Sequence, residues 1–304
     1  MNRIQPIRVL RALLLSVLIM VTLMGLLLTF VPNLREELLG YSLRHRLRAG
    51  EEGDVALTMV LTRGQEIVGE AAPSDQLRGE QLQINIRLYE NVESTGREES
   101  IRYEVREMRS EQLSAGIRGV LGKERFTLRI PARGGLISVI RSGASKQDVL
   151  SDSNLGQFSL LLWPTLPDER ITLKDARWSD KIILKRKLLT EELRLVHKLD
   201  FKLIRMEERH GKDYALIEFS GYIDPESVTG EMKPAGQGKV VGRSMIDMTT
   251  GRAVVGAYDL RQDYLLEFKG ARYRWFEHQD LKFYRGKTPD ELEAELLSSP
   301  SPSP

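Results

Sequence analysis

The chain contains no cysteine among its 304 residues. That absence excludes a disulfide framework, an acylated lipoprotein cysteine, a cysteine nucleophile and a thiolate metal site. It does not choose between cytoplasm and periplasm. Histidine is scarce too: the four present are His45, His197, His210 and His278. None stands in an H-E-x-x-H or comparable spacing, so no metal is expected. An excess of one charge is also lacking. Against 45 basic residues stand 43 acidic ones, leaving a formal net charge of +2 and no electrostatic footprint for nucleic acid. Arginine alternates with glutamate, as in RYEVREMRSEQ, which reads as the solvated face of a sheet.

Catalytic motifs are missing as well. Gly242-Arg-Ser244-Met-Ile246 has only the first glycine of a G-x-S-x-G elbow. No Ser-x-x-Lys pair occurs, and Gly236-Gln-Gly238 lacks the following helix that a phosphate site requires. Adjacent carboxylates such as Glu207-Glu208 are ordinary at strand ends. His197 falls on the apolar face of its predicted strand, the place of a satisfied core histidine. The sequence therefore predicts a protein that is not an enzyme and needs no cofactor.

What the chain does have is one long apolar run. Residues 12–31, ALLLSVLIMVTLMGLLLTFV, carry no charge. At about 1.5 Å per helical residue they cover roughly 30 Å, the thickness of a bilayer's hydrocarbon core. Arg3, Arg8 and Arg11 precede the run, and no A-x-A-like cleavage site follows it. An uncleaved transmembrane anchor is expected over a cleaved signal, with residues 1–11 as a cytoplasmic basic flank. Arg35, Arg44, Arg46 and Arg48 lie on the far side, so flanking charge nearly ties. Because long domains translocate largely regardless of charge, the bulk is placed outside the cytoplasm, with a cytoplasmic bulk left open. Residues 33–50 show apolar positions on two helical sides, which predicts a packed stalk over 32–53.

From residue 54 the apolar period shifts to two. Leu82, Ile84, Ile86 and Leu88 share one face; Ile101, Tyr103 and Val105 repeat the pattern, as do Phe126, Leu128 and Ile130. Arg133-Gly134-Gly135 reads as a turn before an apolar run over 136–140. Residues 151–163 break the rhythm: Leu155, Phe158, Leu161 and Leu162 have helical spacing, and Pro164 and Pro167 end the helix. After a short strand around Ile171, Trp178 opens a second set of strands. Residues 182–209 read as one long strand, 210–213 as a hairpin turn and 224–239 as a loop. Further strands are predicted over 240–248, 252–258, 264–268 and 273–284. A short helix beginning at Thr288 and a disordered tail would complete 288–304.

Three segments together carry a resemblance: Trp163-Pro-Thr-Leu-Pro167, the aromatic-led strand at Trp178, and the late hairpin Ile246-Asp-Met-Thr-Thr-Gly-Arg252. The pattern resembles a bacterial envelope family, a domain of unknown function, with Pro-x-Leu-Pro, Gly-Asp-x-Trp and Asp-x-x-Thr-Gly steps. Lys174-Asp175-Ala-Arg-Trp178 stands at the second step here. The resemblance spans roughly residues 54–285 and implies no assigned chemistry. Strands wrapped around a mid-chain helix are distantly similar in fold to periplasmic lipoprotein and lipid carriers.

The expected fold is α+β and mostly antiparallel β. It comprises a curved sheet or half-barrel over 54–287 with one interrupting helix, preceded by a single transmembrane helix. The expected function is a single-pass inner-membrane envelope protein, anchored through residues 12–31, with its bulk periplasmic. Its β-rich domain would bind a lipid, a lipoprotein or an envelope protein. A purely structural scaffold without a ligand cavity is the alternative, and a hydrolase-type enzyme the third. Phe158, Leu161, Leu162, Trp163 and Trp178 are the candidate ligand-binding residues. The competing reading is that their helix simply plugs the core.

Overall fold

The computed structural model describes residue 22 and residues 41–68, 80–114, 121–141, 152–172, 176–188, 191–209 and 211–286. Apart from Thr22, the predicted anchor at 12–31 lies outside the described residues, as do the basic flank and the 288–304 tail. Among the described residues no helix is long and apolar enough to cross a membrane.

The chain divides into two units, residues 1–42 with 169–175, and residues 43–168 with 176–304. In the first, Tyr41 and Ile171 form an isolated antiparallel bridge, with N–O distances of 2.7 and 3.0 Å. The second holds the sheet. Its strands are β1 (Glu52–Val68), β2 (Glu80–Ser94), β3 (Glu98–Arg109), β4 (Arg125–Pro131), β5 (Ser138–Arg141), β6 (Arg177–Leu188), β7 (Glu191–Arg209), β8 (Lys212–Ser227), β9 (Met232–Gly236), β10 (Gly238–Asp247), β11 (Ala253–Phe268) and β12 (Ala271–Arg285). Among the described residues, the helix α1 (Asp152–Leu162) stands between β5 and β6.

Every pairing is antiparallel, in the order β5-β4-β3-β2-β1-β12-β11-β10-β8-β7-β6, with β9 added beside β11. Most neighbours in the sheet are neighbours in sequence, as expected for a meander, and the alternating residues produce it directly. Ile84, Ile86 and Leu88 are buried while Asn85 and Arg87 are exposed. The same alternation runs along most strands, so one face is mainly apolar.

The sheet curls into a half-barrel. One ion pair measures the curl. Arg186 on β6 and Glu277 on β12 are five strands apart in the order, roughly 24 Å on a flat sheet at about 4.8 Å per strand. Their side chains nevertheless meet in a bidentate pair at 2.7 and 2.5 Å across the concave face. Helix α1 fills that face. Its side chains from Asn154 to Leu162 are all buried, so it is enclosed on every side rather than lying on a surface. Gly156 permits the approach: a Cβ there would sit 2.7 Å from Leu184 on β6.

Several sequence expectations are corrected. Residues 182–209 are two strands, because the chain reverses between Leu188 and Glu191, which pair with each other. Residues 224–239 are not a continuous loop; they hold the end of β8 and all of β9, with Pro234 tolerated because β9 lies off the main path of the sheet. The strands expected over 252–258 and 264–268 are one strand, β11, which begins at Ala253. The predicted helix over 33–50 is absent from its described part. From 43 to 48, Leu43, His45 and Leu47 are buried between exposed Arg44, Arg46 and Arg48, the alternation of an extended chain.

Candidate functional site

The three segments singled out in the sequence converge on the chain just after α1. On one side, the Leu166 amide donates to the Arg133 carbonyl at 2.6 Å, and the Gly135 amide donates to the Trp163 carbonyl at 2.9 Å. Arg133 and Gly135 form the turn between β4 and β5. On the other side, the Trp178 indole N–H donates to the Thr165 carbonyl at 2.7 Å. The Thr165 hydroxyl donates to Asp180 Oδ2, also at 2.7 Å. Both partners lie on β6. Residues 163–167 therefore stitch one end of the sheet to the other, closing the half-barrel along a seam.

The sequence explains this local shape. Pro164 and Pro167 remove backbone donors and disfavour continuation of α1. The freed carbonyls of Trp163 and Thr165 then accept from the two flanking elements. Trp178 is held further by a parallel stack on Phe201, with centroids 5.6 Å apart and planes at 4°.

Trp163 anchors the seam from inside, fully buried. Its Nε1–H donates to the Tyr103 hydroxyl at 2.7 Å, and that hydroxyl donates to Glu90 Oε2 at 2.5 Å. Arg285 donates to the same Glu90 oxygen at 2.8 Å while its guanidinium lies 4.6 Å from the Trp163 ring centroid. Arg252 is 3.6 Å from the other Glu90 oxygen and donates to Glu51 at 2.6 Å. His45 meets the indole edge-on at 5.3 Å.

The Asp247–Arg252 hairpin supplies this network. Asp247 Oδ1 accepts from the Thr249 and Thr250 amides at 2.7 and 3.2 Å, closing a tight turn. Gly251 follows with φ of 70°, and a Cβ there would lie 2.0 Å from the Arg44 carbonyl oxygen. Only glycine satisfies both demands. The turn then delivers Arg252 to Glu90 and Glu51.

A second polar network lies deeper, around the Arg186–Glu277 pair. Gln279 Nε2 donates to Glu277 Oε1 at 2.6 Å and to Asn154 Oδ1 on α1 at 3.3 Å. The Tyr258 hydroxyl donates to Gln279 Oε1 at 2.8 Å, and Arg186 also stacks on Trp275 at 4.6 Å. Nearby in the interior, the polar side-chain atoms of Gln157, His197 and Gln262 are buried with no hydrogen-bond partner among the described residues.

Burial governs the titrating groups. Desolvation lowers His197 from 6.5 to about 3. His45 is lowered to about 4, chiefly by desolvation and secondarily by the Arg285 and Arg252 charges, against the opposing Gly251 and Pro164 carbonyls. Glu99, with one oxygen unpartnered, is raised to about 7 by desolvation, opposed by Arg252. Tyr103 is raised well above its usual value, first by desolvation and then by Glu90.

The sequence-predicted residues are placed as follows. Phe158, Leu161, Leu162 and Trp163 are all buried in the packed interior. Trp178 is half-buried and borders an open cleft of about 600 Å³ with Arg177, Lys202 and Glu218. His197 is a core histidine, but among the described residues neither ring nitrogen has a hydrogen-bond partner. His278 pairs with Asp259 at 2.8 Å on the outer face, where Arg261 shares the same carboxylate. Among the described residues no group of three or more potential metal ligands gathers.

Sequence reasoning missed Glu90, Arg186, Glu277, Gln279 and Arg285. A signal was present: each stands in phase with the inward apolar residues of its strand, as Glu90 follows Ile84, Ile86 and Leu88. What the geometry offers is a half-barrel braced from within by the seam and the buried polar networks. No family model and no curated protein matches this sequence.

Proposed function

We propose that the chain is a single-pass, membrane-anchored envelope protein whose half-barrel is a binding module for a lipid, a lipoprotein or another envelope protein. The observation that carries this reading is the outer face, where large apolar side chains such as Ile183 and Tyr222 are exposed. Helix α1 and residues 163–167 occupy the interior, so a partner meets the outer face and the edges of the sheet. The uncharged run at 12–31 supports the anchor. A second reading, a scaffold without a ligand cavity, is favoured by the enclosure of α1 on every side.

Photo-crosslinking in cells separates the two. With benzoylphenylalanine replacing Ile183 or Asn85 on the outer face, and Leu161 inside, adducts to an identified envelope lipid or protein should form only at the outer positions. A lipid adduct at Leu161 would point to a buried acyl chain instead. Adducts to the chain alone at all three positions would leave the scaffold reading. For placement, a periplasm-dependent phosphatase fused after residue 290 should be active; an expressed but inactive fusion would put the bulk in the cytoplasm.

A further inference from the structure

The β6–β7 hairpin carries a charge arrangement that folding alone does not explain. On its outer face Arg177 stands opposite Lys202, Lys181 opposite Lys198, and Lys185 opposite Arg194. Three cation–cation pairs thus lie directly across one ladder, where like charges repel. Lys187 adds a fourth cation on β6, and only Glu192 and Asp200 on β7 oppose the set. The chain as a whole is nearly neutral, so this is a local concentration.

The acids of β8 neutralise the second rank but not the first. Glu218 is in register with Lys202 and Glu226 with Arg194, while Asp224 binds Lys198 at 2.8 Å. Lys185 is paired with Glu192 at 3.0 Å. Arg177, Lys181 and Lys187, all on the edge strand, are exposed and have no ion pair among the described residues. Ile183 sits between Lys181 and Lys185 and is 52% exposed, and Tyr222, in register with Lys198, is 50% exposed.

We infer that this face docks on an anionic phospholipid surface. From Arg177 to Lys187 the cations extend about 33 Å along one strand at about 3.3 Å per residue, a line rather than a pocket. An exposed isoleucine and tyrosine set among lysines match the composition of segments that rest at a bilayer interface. Lysine is also a common guard of edge strands. A guard, however, needs neither the cation ladder continued onto β7 nor an exposed isoleucine at its centre. The inference rests on the binding-module reading above and names the surface and partner for it; it does not depend on the anchor.

The test uses the full chain in nanodiscs of neutral phosphatidylcholine, so that the apolar run is already satisfied, and measures co-sedimentation with added vesicles. Vesicles containing phosphatidylglycerol should be captured and phosphatidylcholine vesicles should not, with capture lost at about 1 M salt, where screening reaches about 3 Å. Each cation near an anionic leaflet contributes about fivefold, so Arg177→Gln, Lys181→Gln and Lys187→Gln together should weaken capture on the order of 100-fold. The charge-preserving Arg177→Lys, Lys181→Arg and Lys187→Arg set should retain it. Equal capture of both vesicle types, or unchanged capture by the glutamine variant, overturns the inference. So does displacement by polyglutamate at lower concentration than by anionic vesicles, which would identify an acidic protein partner. Self-association of the glutamine variant with unchanged vesicle capture would show an edge guard only. If the chain stays outside the nanodiscs, the anchor reading fails and the same vesicles are added to the free chain.

Discussion

Replacing Trp163 by alanine should lower stability by about 5 kcal/mol, near the top of the range for large aromatic truncations in packed cores. Three losses combine. A fully buried indole leaves a cavity at the end of α1. The Tyr103 hydroxyl loses its donor, and Arg285 loses the ring beneath its guanidinium while remaining buried beside Glu90. For a domain of this size that stability change corresponds to a fall in melting temperature of roughly 10–20 °C. Trp163→Phe keeps most of the volume and a ring face but deletes the N–H, so about 2 kcal/mol is expected, a hydrogen-bond loss plus a small cavity. Denaturant unfolding followed by far-ultraviolet circular dichroism reads both. If alanine costs no more than phenylalanine, the buried volume of Trp163 does not stabilise the fold and the seam is held elsewhere.

That prediction depends on geometry which the sequence only partly disclosed. The strands of the first half were legible because Leu82–Leu88, Ile101–Val105 and Phe126–Ile130 alternate without interruption, and one buried face imposes that period. Helix α1 was legible for the same kind of reason, from Leu155, Phe158, Leu161 and Leu162 and the prolines that follow. The β6–β7 reversal was written in a change of phase that is easy to overlook. Inward residues are even-numbered through Leu188 and odd-numbered from Leu193, which the register of Leu188 opposite Glu191 produces. The extended stretch at 43–48 was misread because Leu38, Leu39, Leu43 and Leu47 also fit a helical period, and burial of His45 against Trp163 has no local signal.

The interior polar groups illustrate a different limit. Glu90, Arg186, Glu277 and Gln279 interrupt apolar sets at inward positions, which marks them as buried but does not name their partners. Arg186 and Glu277 are 91 residues apart and five strands apart, and only the curl of the sheet unites them. A buried pair of this kind is weak evidence of net stability, since desolvation offsets much of its attraction. It does fix how far the sheet must close, because either charge alone would be costly to bury. The convergence of Trp163–Pro167, Trp178 and Asp247–Arg252 has the same character. The motifs were visible as strings, whereas their meeting at one seam is a property of the closed sheet.

The interior also predicts a steep acid response. His197 and His45 are held neutral in the folded protein, at about 3 and about 4, whereas an unfolded chain titrates near 6.5. Below pH 6.5 the unfolded chain therefore takes up protons that the folded one refuses, and stability falls as pH falls. Each histidine contributes about 1.4 kcal/mol per pH unit across its window, ending near pH 4 for His45 and near pH 3 for His197. Together they remove roughly 8 kcal/mol, comparable with the whole stability of a typical domain. Glu99 acts in the opposite sense between about 4.5 and 7, because there the folded state holds the extra proton. The net slope below pH 4.5 should therefore be the steepest. His197→Leu removes both unpartnered ring nitrogens and one titrating site from between Ile182 and Ile223. Urea midpoints measured from pH 7.5 down to pH 4 should show the variant no less stable at neutral pH and progressively more stable than the parent as pH falls. Its advantage should grow by about 1.4 kcal/mol per unit below pH 6. Parallel curves for parent and variant would mean that His197 titrates in the folded protein as it does in the unfolded chain.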